Sequence, residues 1–414
     1  MNCRVCHGSN VVPVLDLGDQ PHCNTLIPPS RDGEPEPVYP LRLCFCRDCS
    51  TAQIDHTVPK EIMFSDYPYV SGTTRTLRAH FEDSANRLVK TLGLAPGSLV
   101  VDIGSNDGTW LKYFKAAGMR PLGVEPAGNL VELARRDGID TLHRFFNAET
   151  ARGILRDAGA PALVTAAGVF FHLEELHSAT EGVALMCEAG AVFCVQAIYL
   201  GEMIAKNHFD NIYHEHLTYW SLTSISRLFD RHGLETFEAS LVPIHGGTME
   251  LLVAKKGARP IGPSVAAMRA DEARRGFASI ETYEAFARRV SVIRDQLLNI
   301  LRRFRDEGKT VHALGAPAKG STLLNSFGIT TDLVSLATER NPLKFGKLMP
   351  GSHIPIADED ATPPPDAYLV LPWNFLDEFL VKKRAYILGG GAFIVPLPEP
   401  HVIDKSNYAQ YARG

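Results

Sequence analysis

Tyr213, His214, Glu215 and His216 stand in four consecutive positions, inside Phe209–Ser221 (FDNIYHEHLTYWS). Histidine titrates near neutrality, which suits it to take up a proton, and a nearby carboxylate fixes an imidazole's tautomer and orientation. The histidines here are two apart. The HExxH metalloprotease pattern needs its pair on one helix face, so this triplet is not that zinc site. On an extended or irregular segment, Tyr213, Glu215 and a histidine converge on one pocket. The aromatic residues packed closely around them argue against a solvated loop.

The second chemistry lies at the N-terminus. Of the eight cysteines, Cys3, Cys6, Cys23, Cys44, Cys46 and Cys49 fall early in the chain. Cys3-Arg4-Val5-Cys6 and Cys46-Arg47-Asp48-Cys49 are CxxC pairs. Each pair wraps a turn around a metal and supplies two thiolates, so two pairs complete a tetrahedral zinc site. Four thiolates leave no open position, which makes the zinc structural. Cys44 adds ambiguity to the second pair, and Cys23 or His22 can stand in as ligands. Cys187 and Cys194 sit in apolar sequence and read as buried, inert thiols.

A third chemistry is announced by Leu99–Ile103 and the turn Gly104-Ser105-Asn106-Asp107-Gly108-Thr109. An apolar strand ends in Asp102 and a glycine turn, a helical pattern follows, and a second strand, Pro121–Val124, ends in Glu125. Glycines let a backbone approach a ligand, and an acid at the next strand end accepts from ribose hydroxyls. The turn reads GxxxG, without the third glycine of a dinucleotide fingerprint. A nucleoside lacking a diphosphate, S-adenosylmethionine (SAM), fits better than NAD. Asp102, Gly104, Asn106, Asp107, Gly108 and Glu125 are the expected cofactor residues.

The elements that must position these groups follow a doubly wound α/β pattern. Further strands are expected at Ala162–Ala166 and Ala191–Gln196. His172 follows the first of them, at a carboxyl end where open α/β sheets bind ligands. Residues 264–308 read as helical, with Phe286, Val290, Ile293, Leu297, Ile300 and Phe304 on one face. A third unit begins at Val311-His312-Ala313-Leu314 and continues through Gly315–Thr322 (GAPAKGST). Lys319 precedes the second glycine, so this is not a P-loop; a phosphate site at Lys319 and a purely structural turn both remain open. Strands at 334–337, 367–371 and 392–395 make this unit α/β as well.

At 414 residues and 45.4 kDa the chain is too long for one core. A net charge of −5 argues against nucleic acid as a partner. No stretch reads as a membrane span, and the start, Met1-Asn2-Cys3-Arg4, lacks an apolar signal core, so a cytoplasmic location is expected.

Over nearly its whole length the chain resembles the three-domain SAM-dependent sugar C-methyltransferases of deoxysugar biosynthesis. The matching pieces are the CxxC pairs, Tyr67-Pro68-Tyr69-Val70-Ser71, GSNDGT, Phe209–Ser221, Gly315–Asn325, Asn341–Ile356 and Leu371-Pro372-Trp373-Asn374-Phe375. The resemblance implies a zinc-binding domain (1–68), a Rossmann-like class I methyltransferase domain (69–258), and a C-terminal α/β Rossmann-like domain with a helical linker (259–414). It implies SAM and structural zinc, and a nucleotide-linked 4-keto-deoxysugar, a dTDP-sugar, methylated at C-3. It nominates Tyr69, His172, Tyr213, Glu215 and His216: His216 as base held by Glu215, Tyr213 as alternative base or donor, and His172 or Tyr69 toward the ketone oxygen. The nucleotide diphosphate is expected where the last two domains meet. Gly168 replaces the family's usual Asn, and Glu339-Arg340 its Asp-Arg. Other acceptors at carbon, oxygen or nitrogen, or an RNA methyltransferase bearing zinc, are the alternative.

Overall fold

Leu41, Leu43 and Phe45 alternate along one strand and are all buried, the period-two pattern of a sheet with one apolar face. Their strand β2 (Val38–Cys46) pairs antiparallel with β1 (Val11–Pro21) and β3 (Ala52–Ile54). This computed structural model describes residues 1–65, 67, 69–244 and 246–412; Pro68, at the expected first boundary, lies outside them. The loop between β1 and β2 reaches the C-terminal part of the chain, where Ile27 bridges Leu348. There His353 Nδ1 lies 2.8 Å from Asp32 and its Nε2 2.9 Å from Glu36.

Those two carboxylates raise the His353 pKa above its ordinary value, with the Asp32 hydrogen bond as the main cause. A raised histidine contributes stability in full below its unfolded pKa and loses it as pH rises through the folded value. The loop at residues 29–36 is therefore expected to be better protected at about pH 6 than at about pH 9. Hydrogen exchange, corrected for intrinsic rates, checks this. His353→Asn should remove the pH difference, and a loop equally protected at both pH values in wild type contradicts the assignment.

After two helices, α1 (Lys60–Phe64) and α2 (Arg75–Leu92), the chain alternates strand and helix. The strands are β4 (Leu99–Ile103), β5 (Arg120–Glu125), β6 (Thr141–His143), β7 (Leu163–Ala167) and β8 (Val192–Ile198). They are separated by α3 (Thr109–Ala116), α4 (Gly128–Arg136), α5 (Ala148–Asp157) and α6 (Leu176–Glu188). β4 is buried throughout, as a central parallel strand covered by helices on both faces must be. Then come α7 (Leu200–Ala205), β9 (Thr218–Tyr219), α8 (Leu222–Arg231), and the hairpin β10 (Leu234–Val242) and β11 (Thr248–Lys255). The seven-stranded order is β10-β11-β8-β7-β4-β5-β6, parallel except at β10 and β11. Strand order reverses between β4 and β7, so their carboxyl ends open a crevice.

β9 leaves this sheet and pairs with β3, becoming the fourth strand of the N-terminal sheet. The segment carrying Tyr213–His216 is thus stretched between two sheets.

The helical stretch expected at 264–308 is broken in two, α9 (Pro263–Arg274) and α10 (Ile280–Asp306). Gly276, at φ 70°, turns the chain between them, a conformation that glycine adopts without Cβ strain. The apolar face of α10 also differs: Leu301 is buried where Ile300 was expected, because the stripe runs on by four residues from Leu297. Phe45 meets Tyr283 at 4.5 Å, so α10 backs the N-terminal sheet.

The last sheet runs β12 (Val311–Leu314), β13 (Leu336–Glu339), β14 (Ile356–Asp358), β15 (Ala367–Val370), β16 (Ala392–Val395) and β17 (His401–Ile403) in sequence. Its spatial order, β14-β13-β12-β15-β16-β17, has a switch point between β12 and β15. The helix α11 (Ala318–Phe327) starts there, and Lys319 Nζ lies 3.9 Å above the Trp373 ring. Trp373 Nε1 donates to Asp210 Oδ2 at 2.6 Å, joining this sheet to the start of the Phe209–Ser221 segment.

Candidate active site and metal centre

The four expected cysteines converge. Cys3 and Cys49 sulfurs lie 3.5 Å apart and Cys6 and Cys46 sulfurs 3.6 Å apart, near the edge of about 3.8 Å that a tetrahedral zinc thiolate site requires. All four ligand atoms lie within 4.8 Å of one another. Each CxxC turn ends in a left-handed residue, His7 (φ 64°) and Ser50 (φ 61°), and the amides of Val5 and Gly8 point at Cys3 and Cys6 sulfurs at 3.4 Å. A Cβ on Gly8 would stand 2.4 Å from Asp48 Oδ2, so a larger residue there would displace that exposed carboxylate. The set fits zinc. Cys44 takes no part; its thiol points to the Arg42 carbonyl at 3.9 Å.

At the crevice, Gly104 (φ 66°) and Gly108 (φ 72°) frame the turn after β4. A Cβ on Gly104 would meet Val169 at 2.4 Å, so only glycine lets the turn pass. Glu125 accepts from the Asn106 amide at 2.8 Å and the Ala127 amide at 2.9 Å, and so holds the turn in shape. Asp102 accepts from Thr165 Oγ1 at 2.7 Å. Burial raises both carboxyls to about 7. Asp107 caps α3 through Thr109, and its other oxygen takes the Gly72 amide at 3.1 Å. Asn106 takes the Ser71 amide at 2.9 Å and donates to the Tyr69 carbonyl at 3.0 Å. The segment 69–72 therefore lies across the turn. Ser105 Oγ and Trp110 Nε1 line the cleft, buried and without a hydrogen-bond partner among the described residues. Orphaned donors beside buried acids suit a ligand with a ribose, an adenine and a positive sulfonium, and the residues fit SAM.

The acid–base cluster is packed from both sheets. Leu217 binds the Phe171 carbonyl and the Ile54 amide binds Leu217, while Trp220 Nε1 donates to Phe170. These bonds pin Tyr213–His216 beside His172. The His172 and His216 rings lie 5.0 Å apart, and the Tyr213 ring lies tilted against His216 at 3.9 Å. His216 Nδ1 is 2.7 Å from the Asn211 carbonyl, and His172 Nδ1 is 2.6 Å from the Glu215 carbonyl. A carbonyl only accepts, so each Nδ1 carries a proton, and the nitrogen of the ring able to take up a proton is Nε2.

Here the structure differs from the expectation. His216 is oriented by the Asn211 carbonyl, because the Glu215 side chain points toward the N-terminal sheet. Glu215 is fully buried. Its carboxylate accepts from Tyr67 OH at 2.8 Å and from Asn24 Nδ2, and stands 3.2 Å from His22 Nε2. Burial opposes its charge, yet the His22 contact and the Tyr67 hydrogen bond hold it below the ordinary carboxylate range. Tyr67 meets the cluster, whereas Tyr69 sits at the glycine turn and is 41% exposed. His214 faces away, toward the Tyr39 and Pro40 carbonyls. Sequence reading missed Tyr67, Asn24 and Asn211; the two tyrosines of the YPY motif gave no sign of which one turns inward.

A seven-stranded sheet in this order, with a glycine turn at its switch point and a four-cysteine knuckle ahead of it, defines a SAM-dependent methyltransferase with a structural zinc domain. Residues 3–64 match the family model described as a putative zinc binding domain, 75–239 that of a methyltransferase domain, and 243–398 that of a C-methyltransferase C-terminal domain. C-methyltransferase NovU of Streptomyces niveus is 35% identical over 408 residues, covering 98% of this chain and 97% of its own. The chain belongs to the three-domain SAM-dependent C-methyltransferase family. Among solved structures, magnesium protoporphyrin IX methyltransferase of Synechocystis PCC 6803 with bound SAM is 14% identical, over 44% of this chain and 82% of that one, at a TM-score of 0.33. A Haloferax volcanii methyltransferase complex with its Trm112 activator gives 17%, 44%, 95% and 0.34. Likenesses of that size carry no argument about activity. No helix among the described residues is long and apolar enough to cross a membrane.

Proposed function

We propose that this C-methyltransferase deprotonates and methylates C-3 of a nucleotide-linked 4-keto-deoxysugar. A ketone at C-4 acidifies the neighbouring C–H, so removal of that proton leaves an enolate whose carbon is the nucleophile. Bound SAM supplies an electrophilic methyl group. The observation that carries the reading is the Nδ1–carbonyl bond of His216, which aims an accepting Nε2 as a general base requires. His172 carries the same tautomer, and burial lowers its pKa, so as a neutral ring it does not donate from Nε2 to the ketone. That role falls to Tyr213. Burial and the Glu215 charge push its phenol well above the ordinary value, which keeps it protonated and a donor to the developing oxyanion. Glu215 supplies the fixed negative charge that favours a proton on a neighbouring imidazole. The switch point between β12 and β15, where Lys319 and Trp373 meet Asp210, is the proposed location of the nucleotide diphosphate.

A Cβ at Gly168, φ 69°, would meet nothing within 4 Å. This chain thus leaves space where its family commonly places an Asn amide, which bears on the choice of sugar. Mass analysis after incubation with SAM and a panel of 4-keto sugar nucleotides, dTDP-linked ones included, should show gain of one methyl group on carbon. Transfer only to oxygen, nitrogen or RNA would refute the reading.

The same reading puts Glu125 on the SAM ribose. Loss of a charged hydrogen-bond partner costs about 1.5–3 kcal/mol, so Glu125→Ala should weaken SAM roughly 10- to 150-fold by calorimetry. Unchanged affinity would place the ribose partner elsewhere.

A further inference from the structure

His22 and Cys23 lie outside the four-cysteine site and instead meet Glu215, across the junction of the N-terminal sheet and the acid–base segment. One donor atom from each of these three buried residues falls within 4.8 Å of the others. Glu215 Oε1 is 3.2 Å from His22 Nε2 and 3.9 Å from Cys23 Sγ. A tetrahedral ion bonded at ordinary zinc distances sets those edges at about 3.4 Å and about 3.6 Å. The observed edges agree to a few tenths of an ångström.

The surroundings are those of ligands held for a metal. Metal-bound imidazoles and carboxylates are usually fixed by outer hydrogen bonds. His22 Nδ1 lies 3.1 Å from Thr25 Oγ1, leaving Nε2 to face the centre, buried and without a well-directed hydrogen bond. Glu215 Oε2, on the far side of its carboxylate, takes the Tyr67 hydroxyl. Thiol, imidazole and carboxylate together select a borderline-soft cation over calcium or magnesium, which prefer oxygen alone.

We propose that His22, Cys23 and Glu215 form a second metal site for a zinc-class divalent cation, with three protein ligands and a fourth position open. Binding releases the Cys23 thiol proton to solvent as the sulfur–metal bond forms. It also displaces the Asn24 amide from Glu215 Oε1, since donor and cation compete for the same oxygen. The open position makes this ion exchangeable, unlike the one enclosed by four thiolates. The site does not depend on the sugar assignment, but it shares Glu215 with the acid–base cluster, so a bound cation offsets the negative charge that carboxylate otherwise presents to the imidazoles.

Full-length protein treated with a mild chelator, which leaves the four-thiolate ion in place, should take up about one further equivalent of Zn²⁺ more weakly and so hold about two in total. Cys23→Ala and, separately, His22→Ala should each bind about one, with the retained equivalent showing that the N-terminal domain is folded. Titration with Co²⁺ reads the same difference by colour: a four-thiolate site absorbs strongly in the thiolate-to-metal band, and the second site adds a weaker band that Cys23→Ala removes. Saturation of wild type at one equivalent, or a second equivalent that survives in either variant, overturns the proposal.

Discussion

Replacing His216 with alanine is expected to slow methyl transfer by about 10²- to 10⁴-fold and to leave acceptor and SAM affinity nearly unchanged. A positioned general base is worth that factor, and it acts in the transition state more than in binding. The ring is held by the Asn211 carbonyl and lies against Tyr213 at 3.9 Å and Phe171 at 4.5 Å, so its direction is set before substrate arrives. Tyr213→Phe separates the two candidate bases. A donor phenol lost from the oxyanion site lowers turnover but leaves exchange of the C-3 hydrogen with deuterated water, in the presence of S-adenosylhomocysteine, at least partly intact. Exchange that survives in His216→Ala and vanishes in Tyr213→Phe would reverse the assignment. Binding measured on both variants guards against misfolding.

Cys46→Ser is expected to unfold the first sixty or so residues well before the central sheet. Structural zinc contributes apparent free energies of about 10–16 kcal/mol in small zinc domains at neutral pH, and losing one of four thiolates forfeits a large share. The effect should not stay local. β9 pairs with β3, and His22 and Asn24 touch Glu215, so collapse of the N-terminal sheet frees the acid–base segment as well. Zinc content, exchange protection of β1–β3 and methyl transfer should therefore fall together. A variant with full zinc and unchanged protection in that sheet, or wild-type protein devoid of zinc and iron, would contradict this account.

What could be read from the sequence was local. A CxxC turn brings its own two sulfurs together, because two intervening residues suffice for the turn, and two such turns in one chain imply their partner site. The strand, glycine turn and following acid at Leu99–Glu125 are legible for the same reason: left-handed glycines and strand ends are properties of a few adjacent residues. Strands β4, β5, β7 and β8 of the central sheet and β12, β13, β15 and β16 of the last announced themselves as short apolar runs, whereas β6, β10, β11, β14 and β17 did not, and the density of chemistry at Tyr213–His216 marked the segment.

Tertiary structure decided how that segment is aimed. In an irregular stretch, neighbouring side chains point in different directions, and which ones face inward depends on where the flanking residues are anchored. Leu217 and Trp220 are tied to Phe171 and Phe170, and β9 to β3. Those ties turn Glu215 toward His22, Asn24 and Tyr67, residues far away in the chain, and leave His216 to the carbonyl of Asn211. The same packing selects Tyr67 over Tyr69 for the cluster and lets Gly276 break the long helix. Apart from the glycine at the helix break, none of these outcomes has a local signature, because each is set by which distant surface arrives to bury the group.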